Sequence, residues 1–193
     1  MQFNRTFLEG NDIHPLFWEQ DANTDITGDW ISARDYLKMY VLLTKQGSEQ
    51  VDDSGLQLLQ ATSAAGAGAK TLAVSQCWYK TGTMTAAAQG VWTRTGFSTP
   101  CDFLGFGTAL GAGGVGGATY ATTAGARVVA DISTNPLSLL VEILPNDFDV
   151  ANGFKFFTAF LEGDNVNNTV LFTAQFIGLS AEYAGAIPLS PLA

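Results

Sequence analysis

The chain has 193 residues and a formal net charge of −9, and 47% of its residues are apolar against only 14% that are charged. This length suffices for one domain with a buried core, and the low charge fraction excludes an intrinsically disordered chain. Nine basic residues scattered along an acidic chain make a poor surface for phosphates, so we expect no nucleic-acid partner. One His and two Cys supply too few ligands for a His- or thiolate-based metal site, and we expect no metal and no other cofactor.

The sequence contains no segment typical of export or of a membrane span. The first residues, MQFNRTFLEGND, lack the basic and apolar regions of a secretory signal. The longest uncharged stretch, residues 103–126, holds eight glycines. Because glycine disfavours a helix, this stretch does not form the span of about 20 apolar residues that a bilayer requires. We therefore expect no membrane partner.

Residues 1–35 have no regular period and mix acidic residues with large apolar ones. Such a segment is costly to leave in water, so we expect it to pack on its own domain or on a neighbouring subunit. The pattern predicts an irregular, acidic and aromatic N-terminal arm. Its candidate partner-binding residues are Phe3, Phe7, Leu8, Phe17, Trp18 and Trp30.

From residue 36 onwards the sequence is typical of β-strands. In YLKMYVLLTK (36–45) every odd-numbered residue from 37 to 43 is apolar, and this period of two indicates a strand. TLAVSQCWYKTG and GVWTRTGF form a predicted hairpin over residues 70–97. LQLLQATS, RVVADI and LSLLVEIL are further short strands. Two further apolar runs, FKFFTAFLEG and TVLFTAQFIGLSAEY, fit either strands or short helices. Their content of Phe, Thr, Val and Ile favours strands.

About eight strands separated by turn residues, with no strongly amphipathic helix, predict an all-β fold. We expect an antiparallel β-sandwich of jelly-roll or Greek-key type over residues 36–185. It would carry a Gly/Ala-rich loop at residues 105–125, either a flexible linker or a loop lying close against a second surface. Residues 186–193 contain two prolines and are predicted to form a surface tail.

Two groups of acidic residues have the composition of a chemical site. Asp21, Asn23 and Asp25 space oxygen ligands like the start of a calcium loop, although the later EF-hand positions do not match, so a solvated acidic loop is favoured. Asp147 and Asp149 form a carboxylate pair of the kind used in glycoside hydrolysis, but acids so close on a turn are usually only solvated.

Cysteine chemistry has little support in the sequence. Cys77 and Cys101 are predicted to be two reduced, buried thiols, because a disulfide scaffold is normally denser in Cys. A catalytic Cys would need a His partner, and the chain has only His14.

Two of the four tryptophans, Trp78 and Trp92, lie on the strands of the predicted hairpin. Their rings fit core or cross-strand packing, which is the more frequent case. They also fit a sugar-binding face, since aromatic rings pack on the apolar faces of sugars. An alternative function is therefore a carbohydrate-binding or adhesin-type module.

Two parts of the chain resemble a known class of protein. The first part, residues 55–97, contains LQLLQATSAAGAGAKTLAVSQCWYKTG and GVWTRTG. The second part, residues 137–185, contains LLVEILPNDFDVANGFKFFTAFLEG and TVLFTAQFIGLSAEYAG. These segments are similar to virion structural proteins of tailed bacteriophages, and most like the cement, or decoration, proteins of their capsids.

The resemblance implies a β-rich protein, often a homotrimer, that binds the capsid exterior and ties neighbouring major capsid subunits together. It implies a protein made in the host cytoplasm and located on the virion, with the major capsid protein and its own copies as partners. It brings no catalytic residues, so we expect that the protein is not an enzyme. Other virion parts, such as the neck, tail or fibre, remain open.

Overall fold

A computed structural model describes residues 11–21, 24–34, 36–46, 55–81, 92–106, 126–128, 137–163 and 170–180. These residues form thirteen strands and two short 3-10 turns, Pro145–Asp147 and Val150–Asn152, and contain no α-helix. Two sheets pack against each other around one core, so the predicted all-β sandwich is confirmed. The strands are β1 (Asn11–Asp21), β2 (Ile26–Thr27), β3 (Ile31–Ser32), β4 (Tyr36–Gln46), β5 (Gly55–Ala61), β6 (Lys70–Thr71), β7 (Val74–Thr81), β8 (Thr93–Cys101), β9 (Phe103–Gly105), β10 (Ala126–Val128), β11 (Leu137–Ile143), β12 (Phe156–Glu162) and β13 (Leu171–Ser180).

The strands pair in a nested order from the outside of the chain inwards. β1 pairs with β13, β2 and β3 with β12, β4 with β11, and β5 with β9, and all these pairs are antiparallel. A long antiparallel ribbon folded over in this way is a jelly roll. Sheet A has the order β1-β13-β4-β11-β7-β8, and sheet B has the order β10-β9-β5-β12-β2, with β3 beside β12 and β6 beside β5.

The hairpin predicted over residues 70–97 is present and extends the jelly roll. β7 and β8 pair antiparallel, and β7 also pairs with β11, so the hairpin adds two strands to that side of sheet A. A register shift between Val74 and Gln76 marks an irregularity in this pair. β8 continues to Cys101, four residues beyond the predicted end of the hairpin.

Sheet A buries one face and leaves the other partly exposed. In β4, Met39, Val41 and Leu43 are fully buried and the residues between them are half-buried, which confirms the alternation read from the sequence. β11 alternates in the same way along its whole length. One face of the sheet therefore packs on the core while the other is accessible.

Sheet B is buried on both faces at its centre. All seven residues of β5 and six of the seven in β12 are buried. This explains why the apolar run of β12 had no alternation and fitted a helix or a strand equally well. β12 and β13 are both strands, as their residue types favoured.

An aromatic contact joins the two sheets across the core. Phe157 of β12 and Phe176 of β13 meet edge to face, with ring centroids 5.3 Å apart and planes at 63°. Tyr36 lies edge to face on Phe176 at 5.0 Å, and Phe148 on Phe157 at 6.0 Å. Edge-to-face pairs gain quadrupole attraction in addition to the apolar area that they bury.

The predicted irregular arm is wrong for the part of it that the structure describes. Residues 11–21 form the edge strand β1, and β2 and β3 pair with β12, so the sandwich already includes residues that we assigned to the arm. Register shifts between Pro15 and Phe17 and between Phe17 and Gln20 interrupt the alternation, which hid the strand from the sequence. Residues 1–10, most of the Gly/Ala-rich loop (107–125) and the tail (186–193) lie outside the described residues.

We expect Phe157→Ala to destabilise the protein by about 3–5 kcal/mol, because it removes a buried ring from the contact between the sheets and leaves a cavity. Phe156→Ala is the matched control, since this half-buried neighbour lies on the opposite side of β12. Urea unfolding followed by tryptophan fluorescence measures both changes. Equal losses of stability in the two variants would contradict the central role of the Phe157 contact.

Candidate functional site

The accessible face of sheet A carries a row of polar side chains that crosses four strands. Lys38 of β4 donates a hydrogen bond to Glu142 of β11 at 3.0 Å, and Gln76 of β7 donates to the other carboxylate oxygen, also at 3.0 Å. Arg94 of β8 donates two hydrogen bonds to the side-chain oxygen Oε1 of Gln76, from Nε at 3.1 Å and from Nη2 at 2.6 Å. Each strand of this half of the sheet is thus linked to the next by a side-chain hydrogen bond.

The charges in this row are largely balanced. Lys38 and Glu142 form an ion pair, and the hydrogen bond to Glu142 raises the pKa of Lys38 above its ordinary value. Arg94 adds a second positive charge beside the neutral Gln76 amide. The row therefore offers both a carboxylate acceptor and cationic donors at one edge of the face.

Beside the polar row lies a groove of about 410 Å³ lined by Tyr40, Trp78, Trp92, Leu140 and Glu142. Tyr40 is directly opposite Glu142 in the β4–β11 register, and Leu140 is opposite Trp78 in the β11–β7 register. Trp92 comes immediately before β8 and leaves 44% of its surface exposed. Three aromatic side chains from three parts of the chain thus meet on a rigid sheet.

Trp78 and Trp92 were candidates for a sugar-binding face, and the structure brings both into this groove. Tyr40 and Glu142 were missed. Their outward position on β4 and β11 follows from the alternation of each strand. Their meeting with Trp78 depends on the strand order β4-β11-β7, which the sequence does not reveal.

The candidate partner-binding residues differ in how far the structure buries them. Phe17 is buried in the core at 8% exposure, so in the folded domain it cannot contact a partner. Trp18, its neighbour, is 56% exposed. Trp30 is half-buried, and its ring lies so close to Gly66 that a Cβ there would come within 2.8 Å of the indole. The remaining candidates, Phe3, Phe7 and Leu8, lie outside the described residues.

The carboxylates of Asp147 and Asp149 each have a structural partner. Asp147 accepts a hydrogen bond from the Leu144 backbone N–H at 2.7 Å and closes the first 3-10 turn. Asp149 pairs with Lys70 and accepts two hydrogen bonds from the Asn152 amide. These contacts indicate that both carboxylates stabilise the turn region, whereas the sequence favoured acids that are only solvated.

Asp21 and Asp25 are exposed, and Asp25 accepts a hydrogen bond from the Gly163 backbone N–H at 3.0 Å. Asn23 lies outside the described residues. Over the ranges that the structure describes, no three His, Cys, Asp or Glu side chains are grouped as metal ligands.

Cys77 and Cys101 are both buried, as expected, and neither is in a disulfide. Burial raises the pKa of the Cys77 thiol to about 12. His14 is exposed on β1 and its ring stacks on Phe176 at 6.0 Å. β1 and β7 are four strand spacings apart in sheet A, roughly 19 Å, so His14 and Cys77 do not form a pair.

None of the described residues form a helix long and apolar enough to cross a membrane. Compared with known proteins, the chain matches no family model, no curated protein and no solved structure. The groove on sheet A and the exposed Trp18 on β1 are the two surface features of the described residues that suit a binding function.

We expect both thiols of the native protein to resist a thiol-specific reagent at neutral pH, because both side chains are fully buried. In addition, only the thiolate attacks, and burial raises the pKa of Cys77 to about 12. Unfolding in urea should expose both, and they should then react at the rate of a small free thiol. The reagent releases a chromophore when it reacts, and the absorbance of this chromophore gives the number of thiols that have reacted. A thiol that reacts fully in the native protein at that same rate would contradict the burial.

Asp147 and Asp149 should influence stability with opposite signs. Hydrogen bonds from Lys70 and Asn152 lower the pKa of Asp149, whereas burial raises the pKa of Asp147. A lowered pKa means that Asp149 stabilises the fold above its unfolded pKa of about 3.9, and that this is lost as the pH falls through the folded pKa. A raised pKa means that ionised Asp147 opposes folding above its folded pKa, and that this opposition is lost as the pH falls from the folded pKa to the unfolded pKa of about 3.9.

We therefore expect Asp149→Asn to lower stability at neutral pH and Asp147→Asn to maintain or increase it, since Asn resembles the protonated acid. Both differences from the unsubstituted protein should shrink as the pH falls below about 3.9, because the two carboxyls are then increasingly protonated. Urea unfolding midpoints of both variants and of the unsubstituted protein, measured from neutral to acidic pH, test this prediction. A loss of stability in both variants at neutral pH, or a gain in both, would refute the prediction.

Proposed function

We propose that the protein is a structural subunit of a tailed-phage virion that binds the outer capsid surface and ties neighbouring major capsid subunits together. The resemblance of residues 55–97 and 137–185 to cement proteins motivates this proposal. Its partners would be the major capsid protein and further copies of itself as a homotrimer. The net charge of −9 fits a position outside the shell, away from the genome.

The observation that carries the proposal is the presentation of Trp18. It lies within the second register shift of β1, between Phe17 and Gln20, next to Glu19, whose φ of 45° is in the left-handed region. Bulges of this kind re-aim side chains, and Trp18 follows two consecutive buried residues, Leu16 and Phe17, with its own side chain exposed. A tryptophan fixed on a paired strand is a typical anchor of a protein interface.

Two hydrogen bonds hold the backbone at Trp18. The Gln20 side chain donates a hydrogen bond to the Trp18 carbonyl oxygen at 2.9 Å, and the Glu19 N–H donates to the Thr173 hydroxyl at 3.2 Å. Ile13, on the same strand, is a second exposed apolar side chain. On a symmetric shell such a small contact is repeated many times, so a modest interface suffices for stable attachment.

A binding role rather than an enzymatic one is also supported by the acidic residues. The Asp147 and Asp149 carboxylates, which were the candidates for hydrolysis, hold a turn and an ion pair. The protein would act through its contacts on the virion exterior after synthesis in the host cytoplasm.

The test replaces Trp18 with Ala and measures binding to capsids that lack the protein. Deleting residues 2–20 would be unsuitable, because it removes Leu16 and Phe17 from the core. We expect Trp18→Ala to reduce affinity at least about tenfold, the cost of a typical anchor residue. Trp92→Ala is the matched control, since Trp92 is also exposed but lies at the far end of sheet A.

Full occupancy of the capsid by Trp18→Ala would contradict the assignment of the interface. Mass spectrometry of purified virions tests the wider proposal. A copy number near that of the major capsid protein supports a cement role, a few copies indicate a neck, tail or fibre part, and absence from the particle refutes a virion function.

A further inference from the structure

We infer that the groove on sheet A is a binding site for a saccharide. The groove, lined by Tyr40, Trp78, Trp92, Leu140 and Glu142, runs from β4 across β11 and β7 to the residue before β8. None of these residues is on β1, which carries Trp18, and β4 is two strand spacings from β1, roughly 10 Å. The inference therefore goes beyond the capsid contact proposed above and stands or fails independently of it.

The aromatic side chains supply the apolar part of the recognition. A pyranose ring exposes a face of C–H groups that packs on the face of an aromatic ring, and tryptophan offers the largest such surface. Trp78 is half-buried and held by strand pairing on both sides, opposite Leu140 and Arg94. Trp92 is more exposed and borders the same groove. Two indoles and a phenol can thus cover a sugar with little loss of side-chain freedom.

The polar row supplies the hydroxyl recognition. Glu142 lines the groove, and each of its carboxylate oxygens accepts one protein hydrogen bond, from Lys38 or from Gln76. A carboxylate has about four lone-pair sites, so it can accept further hydrogen bonds from sugar hydroxyls. Lys38 donates to it directly, and Arg94 is connected to it through Gln76. The combination of acceptor and donors next to an apolar floor matches the surface of a sugar.

Dimensions and charge distinguish a sugar from other occupants. A volume of about 410 Å³ is at the small end of the ~300–1,000 Å³ typical of small-molecule sites, and fits a mono- or disaccharide unit. A quaternary ammonium ion would also suit an aromatic site. Here, however, Lys38 already neutralises Glu142 and Arg94 adds a positive charge, which disfavours a cation. A purely apolar occupant would cover the Glu142 carboxylate, which lines the groove, without adding a hydrogen bond to it.

The experiment measures binding of trisaccharides of glucose, galactose, mannose and N-acetylglucosamine, and of purified bacterial surface polysaccharides, to the full chain. Tryptophan fluorescence and saturation-transfer NMR are the readouts. We expect at least one of these probes to bind. Trp78→Ala and Trp92→Ala should each weaken that binding about tenfold, and Glu142→Gln should weaken it while preserving the side-chain shape.

Trp18→Ala is the matched control and should bind the saccharide like the unsubstituted protein. Because Trp92 is exposed, its substitution should leave the urea midpoint unchanged, so loss of binding cannot be attributed to unfolding. The inference is overturned if no probe binds, if saccharide binding survives both tryptophan substitutions, or if choline chloride binds the groove in place of the sugars. Capsid binding and saccharide binding are separate readouts, so each proposal can fail alone.

Discussion

The contact between Phe157 and Phe176 is the interaction on which the rest of the structure depends. It joins β12 of sheet B to β13 of sheet A with ring centroids 5.3 Å apart. β13 lies between β1 and β4 in sheet A. The position of this one strand therefore fixes both the edge that carries Trp18 and the strand that carries Tyr40, so the core contact and the two surface features are parts of one rigid arrangement.

The two sheets differ in how far they are buried, and both proposed binding surfaces lie on sheet A. The central strands of sheet B are buried on both faces, so they contribute mainly to stability. Sheet A keeps one face accessible, and there the polar side chains of Lys38, Glu142, Gln76 and Arg94 link four neighbouring strands. These links hold the spacing of the strands that carry the aromatic groove, which makes this face suited to recognition without a large rearrangement.

Local patterns determined how much of this could be predicted from the sequence. The alternation of β4 predicted its buried face correctly, because Met39 and its neighbours follow a period of two without interruption. β1 was missed because its register shifts break that period. In the groove, Trp78 and Trp92 belong to one predicted hairpin and could be paired in advance. Glu142 reaches them only through the long-range order of sheet A, which local patterns do not contain.

Trp18 lies on the edge strand β1 of sheet A, whereas the groove lies on the strands from β4 towards β8. An attachment confined to the β1 edge would leave the groove, which begins two strands away, accessible to a second partner. A single groove of this size would bind a sugar weakly. Repetition on a symmetric particle turns weak sites into strong attachment, because after the first contact the others form at a high effective concentration. A shallow and open site is therefore compatible with firm adhesion of the whole particle.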